Sequence, residues 1–431
     1  MTQAAAPPPR DPADIPPVGP TGQASAGPLA GLKVLELGQL IAGPFAGKTL
    51  ADFGADVIKI EPPATATSDG GDPLRKWRLL HNGTSVWWQV QSRNKRSVVL
   101  DLRTDAGRAD VRRLAAEADV LIENFKPGTL EKWGLGYETL AAGNPGLIML
   151  RISGYGQTGP YRDLPGFAVV AEAMGGLRHL MGEPGRVPVR AGVSLGDTLA
   201  ALHGVIGVLL ALQARTLSIS ADAPKGRGQV VDVALYESVF NCMESLLPEY
   251  SAFGTVRQPA GSALPGIAPS NAYRCANGQV VIGGNGDSIF KRLMAVIGRS
   301  DLGLDPGLAD NAMRAARVDE LDAAITGWTV QRPVAEVVAV LQTASVPVGR
   351  IYTVADIAAD PHFKARGMVQ AVTTADGLPL LVPGIVPKLS ATPGALHSAA
   401  PTLGQHTAEV LGRQALGARW PGGPNTPGNA G

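Results

Sequence analysis

The residue with the clearest potential for chemistry is Asp197, a single carboxylate between a loop of small residues and a long apolar segment. The loop is AGVSLG over residues 191–196, and the apolar segment continues to Leu212. Because this segment is apolar on every side, we predict a central, buried helix. Two roles are open for Asp197. It can cap the helix by accepting hydrogen bonds from free backbone N–H groups, or it can attack a substrate as a carboxylate nucleophile.

The elements before Asp197 alternate between short apolar strands and helices, which predicts a doubly wound α/β domain with a parallel sheet. The Asp197 helix ends this block near Arg215, and residues 216–225 form a surface insertion. We predict strands over 32–37, 56–61, 97–102, 119–124 and 147–152, and helices over 44–53 and 104–118.

The remainder of the chain has a different pattern, typical of a smaller second domain over residues 226–344. It is predicted to contain a strand over 226–234, a helix over 235–253, a hairpin around Asn277-Gly278, and helices over 288–297, 317–328 and 334–344. Strands and turns follow over 347–355 and 368–387. The Pro/Ala/Gly-rich residues 1–28 predict a disordered arm, and residues 421–431 predict a loose tail.

Composition excludes several classes of function. With 38 basic and 37 acidic side chains, the chain offers no basic field for nucleic acid or an anionic membrane. Its two cysteines, Cys242 and Cys275, make neither a disulfide framework nor a zinc cluster. We expect no secretory signal, and we predict that the apolar run around Val205–Leu212 is too short to cross a bilayer. A cytoplasmic location is therefore expected.

Two motifs resemble phosphate-binding loops without meeting their requirements. Residues 42–49, AGPFAGKT, come close to a P-loop, but Ala42 stands where that motif has glycine. Residues 154–159, GYGQTG, match the dinucleotide fingerprint, but Pro160 and Pro165 prevent a helix from starting inside it. We therefore favour a ligand-lining loop over a dinucleotide site.

Basic residues at two predicted loops suggest a phosphorylated ligand. Residues 93–96, RNKR, precede a strand, residues 124–128, NFKPG, follow another, and Lys132 comes one turn later. We expect these side chains to converge on one edge of the sheet, where a phosphate group would explain them.

The motifs taken together resemble those of one family, the class III CoA-transferases, also called the CaiB/BaiF family. The similarity extends from Gly31 to about Leu389. It is carried by GLKVLE at 31–36, AGP at 42–44, GADVIKIE at 54–61, NKR at 94–96, ENFKPG at 123–128, GYGQTGP at 154–160, GD at 196–197, GRGQVVDVAL at 226–235 and DPHFKARGM at 360–368.

The resemblance implies a Rossmann-type large domain built from 29–215 and 345–420, a smaller α+β domain, and an interlocked homodimer. It implies that Asp197 attacks an acyl-CoA thioester, forming an anhydride and then an aspartyl-CoA thioester. CoA is then a substrate, and no tightly bound cofactor or metal is expected. The positions matching the family's CoA contacts are Gln39, Ala42, Asn94, Lys95, Asn124, Phe125, Lys126 and Lys132.

Departures from the family pattern narrow the activity. Racemases of this fold carry a His-Asp pair where this chain has Phe167-Ala168, and phenylalanine cannot transfer a proton. Pro62 replaces an arginine that contacts CoA in some members. The motifs favour transfer of CoA from succinyl-CoA to a dicarboxylate, while a 2-methylacyl-CoA racemase and an inactive CoA-binding protein remain alternatives. Candidates for binding the distal carboxylate are Arg151, Arg162, Arg190 and Arg350, and the loops 265–269 and 283–286 are candidates for shielding the anhydride.

Overall fold

The computed structural model describes residues 27–415 and Trp420. The predicted tail at 421–431 lies outside the described residues, as does the predicted arm except for Gly27 and Pro28. The described residues form two compact units: unit 1 comprises 27–175, 191–242, 361–415 and Trp420, and unit 2 comprises 176–190 and 243–360.

Unit 1 is organised around a six-stranded parallel sheet, which confirms the predicted α/β class. The strands are β1 (Lys33–Glu36), β2 (Asp56–Glu61), β5 (Lys95–Val99), β6 (Val120–Glu123), β7 (Ile148–Ser153) and β8 (Val230–Ala234), and their order is β5-β2-β1-β6-β7-β8. All five strand pairs are parallel. This is the 3-2-1-4-5-6 order of a doubly wound sheet, in which successive strands are added outward on one side of β1 and then, from β6 on, on its other side. Two hairpins complete the strands of unit 1: β3 (Leu80–His81) with β4 (Thr84–Ser85), and β12 (Val369–Thr373) with β13 (Pro379–Pro383).

Helices cover both faces of this sheet, since its strands are apolar on both sides. The helices of unit 1 are α1 (Ala42–Asp52), α2 (Val86–Gln91), α3 (Asp105–Glu117), α4 (Thr129–Lys132), α5 (Tyr137–Gly143), α6 (Ala168–Met174), α8 (Leu195–Leu217), α9 (Leu235–Phe240), α17 (Pro361–Ala365) and α18 (Thr407–Ala415). One face of the sheet packs against α1, α6, α8 and α9, and the other against α3, α4, α5 and α18.

The long helix α8 differs from its predicted form in two ways. It has 23 residues and, by length and composition alone, is long and apolar enough to cross a membrane. The prediction that the apolar run around Val205–Leu212 is too short to cross a bilayer is therefore wrong. It is also not buried all round. Small residues such as Ala200 and Gly204 pack on the sheet, whereas Ile206 is 53% and Leu210 65% exposed. Gly204 and Gly207 bring its backbone close to the side chains of β7 and β8.

Two predicted elements of the smaller domain require correction. The strand predicted over 226–234 is β8, and it belongs to unit 1 because it pairs with β7 along its whole length. The helix predicted over 235–253 is divided into α9 and, in unit 2, α10 (Leu246–Phe253). The chain breaks the helix at Glu244, whose φ of 49° is left-handed.

Unit 2 contains a three-stranded antiparallel sheet packed against helices around its own core. Its strands are β9 (Ser270–Cys275), β10 (Gly278–Gly283) and β11 (Val348–Arg350), and Cys275 pairs with Gly278 at the predicted hairpin turn. Its helices are α7 (Leu177–Leu180), α10, α11 (Asp287–Val296), α12 (Ser300–Gly303), α13 (Asn311–Ala316), α14 (Val318–Thr329), α15 (Val334–Thr343) and α16 (Val354–Ala359).

Candidate functional site

The carboxyl ends of β1 and β6 form the switch point of the sheet, the place where open α/β sheets bind ligands. Gln39 follows β1 and Asn124 follows β6. The two are joined directly: Asn124 Oδ1 accepts the Gln39 N–H at 2.7 Å, and Asn124 Nδ2 donates to the Gln39 carbonyl at 2.8 Å. Ala42, the first residue of α1, is buried beside them. Three of the predicted contact positions therefore lie together.

The loop between β1 and α1, residues 37–41, is also held by a buried ion pair. Lys59 donates to the Gly38 carbonyl at 2.6 Å and contacts Asp72 at 2.9 Å. Both Asp72 oxygens accept the Leu40 N–H, at 3.0 and 3.2 Å. Leu40 has a φ of 63°, a left-handed conformation that is unfavourable for a bulky residue.

Both members of this pair are charged. Burial alone would lower the pKa of Lys59, but Asp72 and two neighbouring glutamates outweigh it and raise that pKa. Burial alone would raise the pKa of Asp72, but Lys59 and two backbone N–H groups hold it below its usual range. Sequence reasoning missed both residues. The available signal was Lys59 between the apolar residues of VIKI at 57–60, since a lysine on a buried strand needs a partner.

The chain after β6 supplies an aromatic ring and two exposed cations at the same edge. Phe125 is half-buried and packs edge-on against Trp133, with ring centroids 5.5 Å apart. Its N–H is fixed by Glu123 Oε2 at 2.7 Å. Lys126 lies in the loop and Lys132 ends α4, and both side chains are exposed. This arrangement can bind a ligand with an apolar ring and phosphate groups.

The other two predicted contacts, Asn94 and Lys95, do not join this group. They stand at the amino end of β5, whereas 124–128 follow the carboxyl end of β6, so the prediction that both stretches converge on one edge is wrong. The Asn94 amide donates to Asp52 and to the Ala395 carbonyl, both at 2.9 Å. Lys95 is 2% exposed, and its ammonium lies beneath α1 at 2.7 Å from Glu36.

Asp197 is the third residue of α8, and the direction of that helix determines where the carboxylate lies. At the other end, Arg215 contacts Asp119 and the Gly146 carbonyl, both at 3.0 Å, beside the amino ends of β6 and β7. Asp197 and Arg215 are 18 positions apart, which corresponds to about 27 Å of helix. Since α8 runs antiparallel to the strands, Asp197 lies toward their carboxyl ends.

Asp197 is half-buried in the first turn of α8, but it is not the N-cap. The N-cap position is Ser194, which makes no side-chain capping bond, so N-cap, one of the two roles left open for Asp197, is not the position this residue takes. A carboxylate in the first turn still benefits from the positive end of the helix dipole, which favours its ionised form. That is the form a nucleophile requires.

Phe167 and Ala168, which depart from the family pattern, lie beside this turn. A Cβ at Gly196 would lie 3.2 Å from the Ala168 carbonyl oxygen, so α6 and α8 approach closely here. Glu172, 1% exposed, accepts the Gly196 N–H at 3.4 Å. Phe167 precedes α6 and is 65% exposed.

The stretch 154–159 is a loop, in agreement with the interpretation against a dinucleotide fingerprint, because the next helix begins only at Ala168. Asp232 of β8 accepts the Gln157 N–H at 3.0 Å. Gly154 and Gly166 approach so closely that a Cβ on either would lie under 3.0 Å from the other residue. The loop is thus fixed at the carboxyl end of β7.

The residues resembling a P-loop have structural roles, within α1 or in its packing against β1. Lys48 pairs with Asp52 at 2.8 Å, and the Thr49 hydroxyl donates to the Phe45 carbonyl at 2.8 Å. A Cβ at Gly47 would overlap the Glu36 carboxylate, so glycine is required there for packing.

The arginines suggested for a substrate carboxylate have different surroundings. The Arg151 guanidinium pairs with Glu123 and with Glu131, each at 2.7 Å, so its charge is already balanced by carboxylates of the protein. Arg162 is exposed in unit 1. Arg350 pairs with Asp356 and lies over the Tyr352 ring. Arg190, Arg350 and the loops 265–269 and 283–286 belong to unit 2, and their roles stay predictions.

Within the described part of the chain, no cluster of three His, Cys, Asp or Glu residues could hold a metal ion.

Comparison with known proteins gives consistent matches over nearly the whole chain. A family model described as CoA-transferase family III matches residues 29–407. A succinyl-CoA–D-citramalate CoA-transferase of Chloroflexus aurantiacus is 47% identical over 386 residues, covering 89% of this chain and 93% of that protein. The beta subunit of a succinyl-CoA–L-malate CoA-transferase of the same organism is 42% identical over 389 residues, with the same coverages. A solved CAIB/BAIF family protein from Brucella suis has a TM-score of 0.77 at 38% identity, covering 90% of this chain and 99% of that one.

Proposed function

Because the chain belongs to CoA-transferase family III, we propose that it moves CoA from succinyl-CoA to the free carboxylate of a dicarboxylic acid. The family expected from the motifs is confirmed, and the chain is a CoA-transferase. The choice of substrates rests on relatives whose names specify succinyl-CoA with D-citramalate or L-malate.

Asp197 is the nucleophile in this proposal. One of its oxygens attacks the thioester carbonyl, the C–S bond breaks, and CoA leaves as the thiolate while a mixed anhydride forms. The thiolate then attacks the aspartyl carbonyl, which releases the donor acid and leaves an aspartyl-CoA thioester. The acceptor carboxylate attacks the carbonyl of that thioester, the C–S bond breaks, and a second mixed anhydride forms as CoA leaves as the thiolate. The thiolate then attacks the acceptor's carbonyl in this anhydride, which forms the new acyl-CoA and releases the Asp197 carboxylate.

The observation that carries the proposal is the position of Asp197 in the first turn of α8, toward the carboxyl edge of the sheet. The helix dipole favours the ionised nucleophile there. The neighbouring Phe167 and Ala168 supply no titratable side chain, which supports acyl transfer over racemisation, since racemisation needs a proton acceptor at the substrate carbon.

CoA binds in this proposal at the switch point between β1 and β6. The loop around Gln39 and Ala42 receives it, Phe125 provides an apolar surface, and Lys126 and Lys132 pair with its phosphates. Asn124 holds the receiving loop through its two bonds to Gln39.

The working form in this proposal is a homodimer. The apolar face of α8 that includes Ile206, Leu209 and Leu210 is exposed in the single chain. Contiguous exposed apolar surface of this kind is typical of an interface with another chain. A second copy would cover it and give this helix the buried environment that its sequence predicts.

The test is an exchange assay with succinyl-CoA as donor and citramalate, malate and acetate as acceptors, monitored by separation of the CoA esters. We expect transfer to the dicarboxylates and a loss on the order of 10⁴-fold or more in Asp197→Ala. Asp105→Asn, which alters a carboxylate in the first turn of a different helix, α3, is the control. Full activity of Asp197→Ala would refute the covalent mechanism. Deuterium exchange at the α-carbon of a 2-methylacyl-CoA without an acceptor acid would favour the racemase instead.

A further inference from the structure

We infer that the buried pair Lys59–Asp72 consists of positioning residues that hold the β1–α1 loop in the conformation that receives CoA. The inference rests on the proposed function, since it assigns the pair to the affinity of that CoA site. Neither residue reaches the ligand; both act through the loop backbone.

The backbone N–H and C=O groups of Gly38 and Gln39 and the N–H of Leu40 are bound by β6, by Asn124 and by the Lys59–Asp72 pair. The Gly38 N–H donates to the Ile122 carbonyl at 3.2 Å, and the Gly38 carbonyl accepts from Lys59. The backbone N–H and carbonyl of Gln39 both bind the Asn124 side chain. The Leu40 N–H is taken by Asp72. The loop therefore has two clamps, one from β6 and one from the Lys59–Asp72 pair.

The second clamp stabilises a strained residue. A leucine at φ 63° relaxes toward negative φ unless its surroundings prevent it. Both Asp72 oxygens accept the Leu40 N–H, and Lys59 fixes that carboxylate while also holding Gly38. Relaxation would turn the peptide groups just before α1, which line the switch point.

The two side chains of the pair are buried in the core, where surrounding protein groups fix their positions. Both side chains are 1% exposed. Asp72 also accepts the Leu74 N–H at 2.9 Å and the Lys59 ammonium contacts Glu36 at 3.0 Å. Buried ion pairs are often no more stabilising than apolar residues of the same size. The presence of such a pair in contact with this loop fits a role in selecting one conformation of the loop.

The experiment compares free CoA binding by calorimetry and steady-state kinetics with succinyl-CoA in Asp72→Asn and Lys59→Met. Asparagine keeps the size of Asp72 and its capping of the next turn. Releasing Leu40 lowers the fraction of competent loop, so we expect the Kd of CoA and the KM of succinyl-CoA to rise roughly ten- to hundredfold. The kcat at saturating substrate should change by less than about threefold, because bound CoA restores the loop.

Asp52→Asn is the matched control. Asp52 is a 1% exposed carboxylate that binds Arg93 and Lys48 at the far end of α1, so its variant should lose stability without altering the Kd of CoA.

A second substitution that restores CoA binding distinguishes a positioning role from a general effect on stability. Glycine adopts positive φ without cost, so Asp72→Asn should raise the Kd far less in a Leu40→Gly background.

Two results would overturn the inference. One is a Kd of CoA within twofold of wild type in both variants, with stability lowered as in Asp52→Asn; the other is loss of the fold in both, which would assign the pair to stability alone. The proposed function fails separately: wild-type protein that binds no CoA refutes it. Asp197→Ala should abolish transfer while keeping the wild-type Kd of CoA.

Discussion

Gly47→Ala tests whether the buried charges under α1 are rigid. The added Cβ would overlap a Glu36 oxygen and lie 2.9 Å from its Cδ and 3.5 Å from Lys95 Nζ. Glu36 is fully buried and held by Lys95 at 2.7 Å and Lys59 at 3.0 Å, so its carboxylate has no open space to rotate into.

The expected effect is the difference between two opposing contributions. Alanine favours a helix interior over glycine by about 1 kcal/mol. Disrupting a buried ion pair costs about 3–5 kcal/mol. The variant should therefore be less stable by about 2–4 kcal/mol, a large share of the 5–15 kcal/mol typical of folded domains.

The measurement is urea unfolding of wild type and variant, followed by circular dichroism. Gly412→Ala is the control, because Gly412 lies in α18 with open space around its Cβ position and should be stabilised by up to about 1 kcal/mol. If Gly47→Ala unfolded at the same urea concentration as wild type or higher, the carboxylate would be mobile and the reasoning refuted.

Four further outcomes are expected. Asn124→Ala removes two hydrogen bonds to the β1–α1 loop, so stability should fall by about 1–3 kcal/mol in urea unfolding and CoA should bind more weakly by calorimetry. Burial lowers the pKa of His406, whose ring accepts a backbone N–H of β5; its stabilisation is present above pH 6.5 and lost as pH falls through the folded pKa, so wild type should lose more stability in acid than His406→Gln. Burial lowers the pKa of Lys95 to about 8; since the unfolded lysine keeps its proton up to about pH 10.5, wild-type stability should rise between these values relative to Lys95→Met. Ile206→Asp places a charge on the exposed face of α8 and should shift the mass measured by light scattering from dimer to monomer; an unchanged dimer would contradict the proposed interface.

Local sequence patterns predicted the elements of unit 1 well where a single segment carries the information. The strand at 56–61 is β2 with the predicted bounds, and the helix predicted at 104–118 is α3 within one residue at each end. Local sequence patterns did not predict features that depend on contacts with other parts of the chain. The helix at 235–253 appeared continuous, yet the chain turns at Glu244.

The candidate site divides in the same way. The sequence by itself determined that residues 39–42 and 124–126 follow strands, that Asp197 opens a helix, and which family's motifs the chain carries, because these are properties of short, continuous segments. Only the tertiary structure decided that β1 and β6 are neighbours, so that Asn124 clamps Gln39. It also decided that Asn94 and Lys95 face protein groups, and that Lys59 and Asp72 support Leu40. Strand order and the partners of buried charges depend on residues far apart in the chain, and no local pattern encodes them.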